Sequence, residues 1–202
     1  MSKDNFWSSQ IVIPVVVIKN PEDAVPMARA LMKAGIHKIE ITLRTPVALD
    51  AIHRINNEVS DAIVGAGTIL SAEDGERAIK AGASFLVSPG STTQLLNFFK
   101  DSGVPFLPGC ATVSEAMKLK ELDIHVAKFF PAEESGGIGF LKAISSVLKS
   151  TSFCPTGGIN KSNYMRYLEI PNVVCVGGSW IAPASLIEAG SWDEITRLAS
   201  DV

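Results

Sequence analysis

Residues 36–66 decide the fold. Ile36-His-Lys-Ile-Glu-Ile-Thr-Leu43 reads as a strand, Pro46 to Val59 carries apolar residues at helical spacing, and Ala62-Ile-Val-Gly-Ala66 reads as a second strand. Two short strands joined through a helix make a βαβ unit, whose strands are parallel. Working outward, the same alternation recurs. Apolar segments at 11–18, 84–88, 104–108, 124–130, 152–156 and 173–177 bring the series to eight, and Pro21 to Ala34 repeats the helical spacing. Eight units predict a compact (βα)8 TIM barrel, one domain over residues 1–202, with residues 1–10 as a short N-terminal helix or plug. An open doubly wound sheet is the alternative, but no Gly-x-Gly-x-x-Gly follows the first strand.

Glycine and proline collect after the strands: Gly65-Ala-Gly-Thr68, Ser88-Pro-Gly90, Pro108-Gly109, Pro155-Thr-Gly-Gly158 and Gly177-Gly-Ser179. Loops need such residues to turn, yet in a parallel barrel these loops also build the catalytic face.

Composition narrows the function classes. The chain has 202 residues, 47% hydrophobic and 19% charged, with a formal charge of −3. That suits one globular domain and provides no basic stripe for a nucleic acid. The longest apolar run, Ile11 to Ile18, is short for a membrane span, and the first seven residues lack a secretory core. A soluble, cytoplasmic protein without a membrane partner is the expectation. Cys110, Cys154 and Cys175 are odd in number and far apart, so they are expected in the core rather than in a disulfide or zinc site. His37, His53 and His125 lack metal-ligand spacing, and no metal is implied.

Two strands carry the chemistry. In 38–44, Ile39, Ile41 and Leu43 share one face while Glu40, Thr42 and Arg44 share the other. If the apolar face meets the helices, the polar one lines the barrel interior and mouth. Otherwise the strand is half exposed. Inside, Glu40 is a candidate acid or base, and Arg44 a fork for a carboxylate. In His125-Val-Ala-Lys-Phe-Phe-Pro131 an ammonium interrupts an apolar run, with Val126, Lys128 and Phe130 on one face. Lys128 is either an edge residue snorkelling to water or a buried amine, kept neutral by desolvation, that attacks a carbonyl. Gly157-Gly158 and Gly177-Gly178-Ser179 follow the seventh and eighth strands, where barrels commonly cradle phosphate. Glu133 and Glu134 read as solvated loop acids, and Lys19 as a surface lysine.

These motifs together resemble the class I aldolases acting on 2-keto-3-deoxy-6-phosphogluconate (KDPG) and 4-hydroxy-2-oxoglutarate (KHG). The resemblance runs through Ile13-Pro-Val15, Glu40-Ile-Thr-Leu-Arg-Thr45, Gly65-Ala-Gly-Thr68, Ser88-Pro-Gly90, Pro108-Gly109 with Thr112, Lys128-Phe-Phe-Pro-Ala132, Phe153-Cys-Pro-Thr-Gly-Gly158 and Gly177-Gly-Ser-Trp180. It implies that Lys128 forms a Schiff base and Glu40 shuttles protons. Arg44, Thr68 and Pro89 would hold the pyruvyl portion, with Phe130 beside it. Thr156, Gly157, Gly158, Gly178 and Ser179 would bind the rest of the substrate, its phosphate end at the last three. It further implies a small phosphorylated 2-keto acid as substrate, no cofactor and a homotrimer. Three rival readings stand beside it: an aldolase for the phosphogalactonate epimer, a phosphosugar isomerase or epimerase, and a non-catalytic phosphosugar-binding barrel.

Overall fold

The computed structural model describes residues 3–202, and side chains from Phe6 onward. Residues 1 and 2 of the expected plug lie outside the described residues. The chain runs α1 (Lys3–Ser8), β1 (Val12–Val16), α2 (Ala24–Lys33), β2 (Lys38–Thr42), α3 (Ala48–Glu58), β3 (Ile63–Gly67), α4 (Ala72–Lys80), β4 (Leu86–Val87) and α5 (Thr93–Ser102). It continues β5 (Phe106–Leu107), β6 (Gly109–Cys110), α6 (Val113–Glu121), β7 (Val126–Phe129), α7 (Gly137–Ser145), β8 (Ser152–Pro155), α8 (Tyr164–Leu168), β9 (Val176–Gly178), α9 (Ala184–Glu188) and α10 (Trp192–Ser200). Side-chain oxygens close several helix starts. Ser71 accepts from Asp74 N, Thr92 from Leu95 N, and Thr112 forms a capping box with Glu115.

The fold is α/β with parallel strands. Six strands pair in the order β5-β4-β3-β2-β1-β9 and three in the order β6-β7-β8. This differs from the uninterrupted eight-stranded barrel expected above. Of the predicted fifth strand, 104–108, only β5 pairs as a strand, and it stops before Pro108, which has no N–H to give to a ladder. β5 pairs with β4, the separate strand β6 beyond the proline pairs with β7, and Pro108 O accepts from Lys128 N at 2.9 Å. Between β8 and β9 only isolated parallel bridges form, Phe153 with Val173 and Thr156 with Gly177. The last strand accordingly begins at Val176 rather than at 173.

Strand parity sorts the core into two parts. Ile39, Ile41, Ala127 and Phe129 belong to the large cluster that packs against the helices. A smaller cluster joins Ile13, Phe85, Val87, Leu107, Val126, Cys154 and Cys175, drawing on both sheets, and Trp7 of α1 closes it. The Trp7 ring stands edge-on to Phe85 at 5.5 Å. Gln10 ties this plug down, its side chain donating to Val12 O and Lys38 O and accepting from the N–H groups of His37 and Lys38. All three cysteines are buried free thiols, and burial pushes the Cys110 thiol up to about 12.

Candidate active site

Lys128 and Glu40 meet in the interior. Lys128 Nζ lies 3.4 Å from Glu40 Oε1, and the two side chains are 6% and 4% exposed. Register puts them there. Lys128 is level with Gly109 on one neighbour and Cys154 on the other, and Glu40 is level with Val15 and Gly65. The residue opposite Glu40's carboxylate has to be glycine, because a β-carbon on Gly67 would collide with Glu40 Oε1. Gly67→Ala is therefore expected to displace the carboxylate and lower kcat by about 10- to 100-fold. The check is steady-state kinetics beside a thermal melt; a full rate would show that Glu40 does not need this position.

The Lys128 ammonium position stands 5.3 Å over the Phe130 ring. Thr42 is fully buried and donates to Val16 O at 3.0 Å, so it braces the strand rather than entering the cleft. Arg44 reaches the rim, where its Nε donates to Thr68 Oγ1 at 3.4 Å. Thr68 has φ +61°, a left-handed conformation that a β-branched residue rarely takes. Such strain is held where the surrounding structure requires it, often at functional sites. Pro89 packs its carbonyl against the α-carbon of Gly109, next to Lys128 in the ladder.

A cleft of about 530 Å³ opens above the pair. Arg44, Phe130, Thr156, Gly157, Gly158, Gly178 and Ser179 line it, so seven of the eleven residues singled out in the sequence share one wall system. Lys128, Glu40, Thr68 and Pro89 are not among the lining residues. Gly157 and Gly158 take φ +100° and +74°, a consecutive pair of left-handed residues that can turn backbone N–H groups toward an anion. Thr156 is buried and its hydroxyl occupies the space a Gly177 side chain would need.

The cleft contains residues that sequence reasoning passed over. Val15 and Val17 line it, as strand alternation from Ile13 would have indicated, and so do Ala182, Pro183 and Ala184. Glu134, read as a solvated acid, also lines it. Lys38 is a second buried lysine on the same strand face as Glu40, 3% exposed, bonded to Ser9 Oγ and 5.0 Å from the Phe6 ring. Desolvation lowers its pKa. It sits at the plugged end, away from the cleft. Lys19 forms an exposed pair with Glu188, and His125 pairs with Asp123.

A buried amine touching a carboxylate, beneath a cleft with one guanidinium and a glycine-built turn, is the equipment of a Schiff-base enzyme for small carbonyl acids. The family profile described as "Aldolase: KDPG and KHG aldolase" matches residues 4–198. The KHG/KDPG aldolase of Escherichia coli (strain K12) is 46% identical over 200 residues, covering 99% of this chain and 94% of that protein. The structure of KDPG aldolase from Legionella pneumophila, with pyruvate captured at low pH as a covalent carbinolamine intermediate, is 46% identical and superposes with a TM-score of 0.97, covering 100% of this chain and 98% of that one. The KDPG aldolase of Zymomonas mobilis ZM4 with 3-phosphoglycerate is 42% identical with a TM-score of 0.92, covering 99% and 94%. The chain belongs to the KDPG and KHG aldolase family and is a carbon-carbon lyase of the class I type.

Proposed function

We propose that the chain cleaves KDPG to pyruvate and glyceraldehyde 3-phosphate, and KHG to pyruvate and glyoxylate, through a Schiff base on Lys128. The observation that carries this reading is the buried 3.4 Å contact between Lys128 Nζ and Glu40 Oε1. Glu40 accepts a proton from the lysine, and the free amine attacks the C2 ketone. The carbinolamine loses water, with Glu40 supplying the proton, and leaves a protonated imine. Glu40, directly or through a water, then takes the C4 hydroxyl proton. The C3–C4 bond breaks, the aldehyde departs, and the bonding electrons pass into the iminium to give an enamine. Protonation at C3 and hydrolysis of the imine release pyruvate and restore the lysine.

Arg44, Thr68 and Pro89 hold the pyruvyl carboxylate end in this reading, and Phe130 packs beside it. Thr156 and Gly157 shape the cleft toward Gly158, Gly178 and Ser179, which take the phosphate. The two sheets are read as arcs of one (βα)8 barrel of a single domain. Support for that comes from the inner cluster, which draws on β1, β4, β5, β7 and β8, and from the bridges between 153 and 173 and between 156 and 177. The family resemblance supports a cytoplasmic homotrimer, which sedimentation velocity and cell fractionation would test.

The chemistry is tested by incubating the protein with pyruvate, reducing with borohydride and mapping the mass increment. The adduct is expected on the peptide containing Lys128. A folded protein that gives no adduct there refutes the mechanism. Rates on KDPG, on its phosphogalactonate epimer and on KHG then rank the substrates, with KDPG expected first.

A further inference from the structure

The Gly157-Gly158 turn is held from behind by a hydrogen bond that the carbon-carbon cleavage does not use. Tyr167 on α8 is fully buried, and its hydroxyl donates to Glu133 Oε1 in the turn after β7. Burial, reinforced by the Glu133 carboxylate, pushes the Tyr167 phenol up, so it stays a donor. Two glycines make room for this pair. A β-carbon on Gly137 would stand 3.0 Å from Tyr167 Oη and 3.3 Å from Glu133 Oε1. One on Gly158 would be driven into Glu133 Cγ, 2.8 Å from its Cβ. The Glu133 side chain therefore lies flat between the phenol and the Gly158 α-carbon.

The backbone is tied along the same line. Glu133 N donates to Gly157 O at 3.3 Å, and Ala132 N to Thr156 O at 2.8 Å. From the other side Asn160 and Asn163 donate through Nδ2 to Gly158 O at 3.2 and 3.0 Å. Among the described residues neither Tyr167 nor Glu133 hydrogen-bonds to Lys128 or Glu40, so the device acts on one end of the cleft only.

We infer that Tyr167, acting through Glu133, is the positioning residue of the anion cradle and sets the preference for a phosphorylated 2-keto acid over an unphosphorylated one. The inference rests on reading Gly158, Gly178 and Ser179 as the phosphate end. Its physical basis is preorganisation: a turn pinned on both sides binds an anion without first losing freedom.

Tyr167→Phe removes only the hydroxyl, Glu133→Ala removes the acceptor, and Glu133→Gln keeps an acceptor oxygen. In the first two, KM for KDPG is expected to rise roughly tenfold, the scale of one hydrogen bond to a charged group. Their kcat on KDPG and both parameters on KHG are expected to stay within about twofold, because uniform binding at one end is what is lost. Pyruvate trapping by borohydride is expected to be unchanged, and Glu133→Gln to resemble the parent. Equal losses on both substrates would reduce Tyr167 to a structural role and overturn the inference. An unaltered KM for KDPG would do so too. If Tyr167→Phe fails to fold, Glu133→Ala, at an exposed turn, gives the same test. Ser179→Ala separates the two levels: a raised KM there with none in Tyr167→Phe overturns this inference alone, whereas no preference for phosphate in the parent removes the cradle with it.

Discussion

Replacement of Lys128 by methionine is expected to lower turnover of KDPG by at least about a thousandfold and to abolish the borohydride-trapped pyruvate adduct, since no other group replaces a covalent nucleophile. Loss of a fold could imitate this result. Methionine keeps the length of the side chain but leaves the Glu40 carboxylate buried without a partner, and removing one member of a buried ion pair costs about 3–5 kcal/mol in a closed interior. The control is Lys128→Met combined with Glu40→Gln, which empties both charges from the interior. That double variant is expected to melt above the single Lys128→Met variant and to remain as inactive. A double variant with recovered activity would exclude Lys128 as the nucleophile.

Glu40→Gln alone is expected to lower kcat by roughly 10²- to 10⁴-fold, the range a positioned acid–base group contributes. Glutamine keeps a carbonyl oxygen in the space beside Gly67 but cannot carry the proton between the carbinolamine, the C4 hydroxyl and C3. Slow adduct formation with pyruvate is expected to survive, because the amine is still present. Single-turnover mixing followed by borohydride quenching reads the two steps separately. Unchanged steady-state rates on KDPG would remove Glu40 as the proton carrier.

Much of this site was legible because parity carries it. Alternation in β2 turned Glu40 and Arg44 away from Ile39 and Ile41, and alternation in β7 did the same for Lys128 against Ala127 and Phe129. The structure puts those apolar residues in the outer cluster. Parity is silent about height along the strand. Lys38 shares the face of Glu40 and is as deeply buried, yet it ends at the α1 plug beside Ser9. Ladder continuity was also invisible. An apolar run from 104 to 108 reads as one strand, whereas pairing stops at Leu107 and resumes beyond Pro108, in the other sheet, as β6. Nor does Thr68 announce its left-handed backbone, a conformation that β-branched residues rarely adopt. Glu133 looked like a solvated loop acid because its partner Tyr167 is 34 residues away, and local sequence holds no sign of that meeting.

The position of β1 has a consequence for how the chain acquires its shape. β1 pairs with β2 on one side and with β9 on the other, through Val12, Ile13 and Pro14 opposite Val176, Gly177 and Gly178. The first of those strands leaves the ribosome long before the last. At typical elongation rates the delay is roughly ten to thirty seconds. Through that interval Val12–Val16 presents an apolar edge with no neighbour on one flank, a template for pairing with other nascent chains. Assembly thus waits for the residues from Val176 onward, and a chain truncated before residue 176 is expected to aggregate rather than form a smaller enzyme.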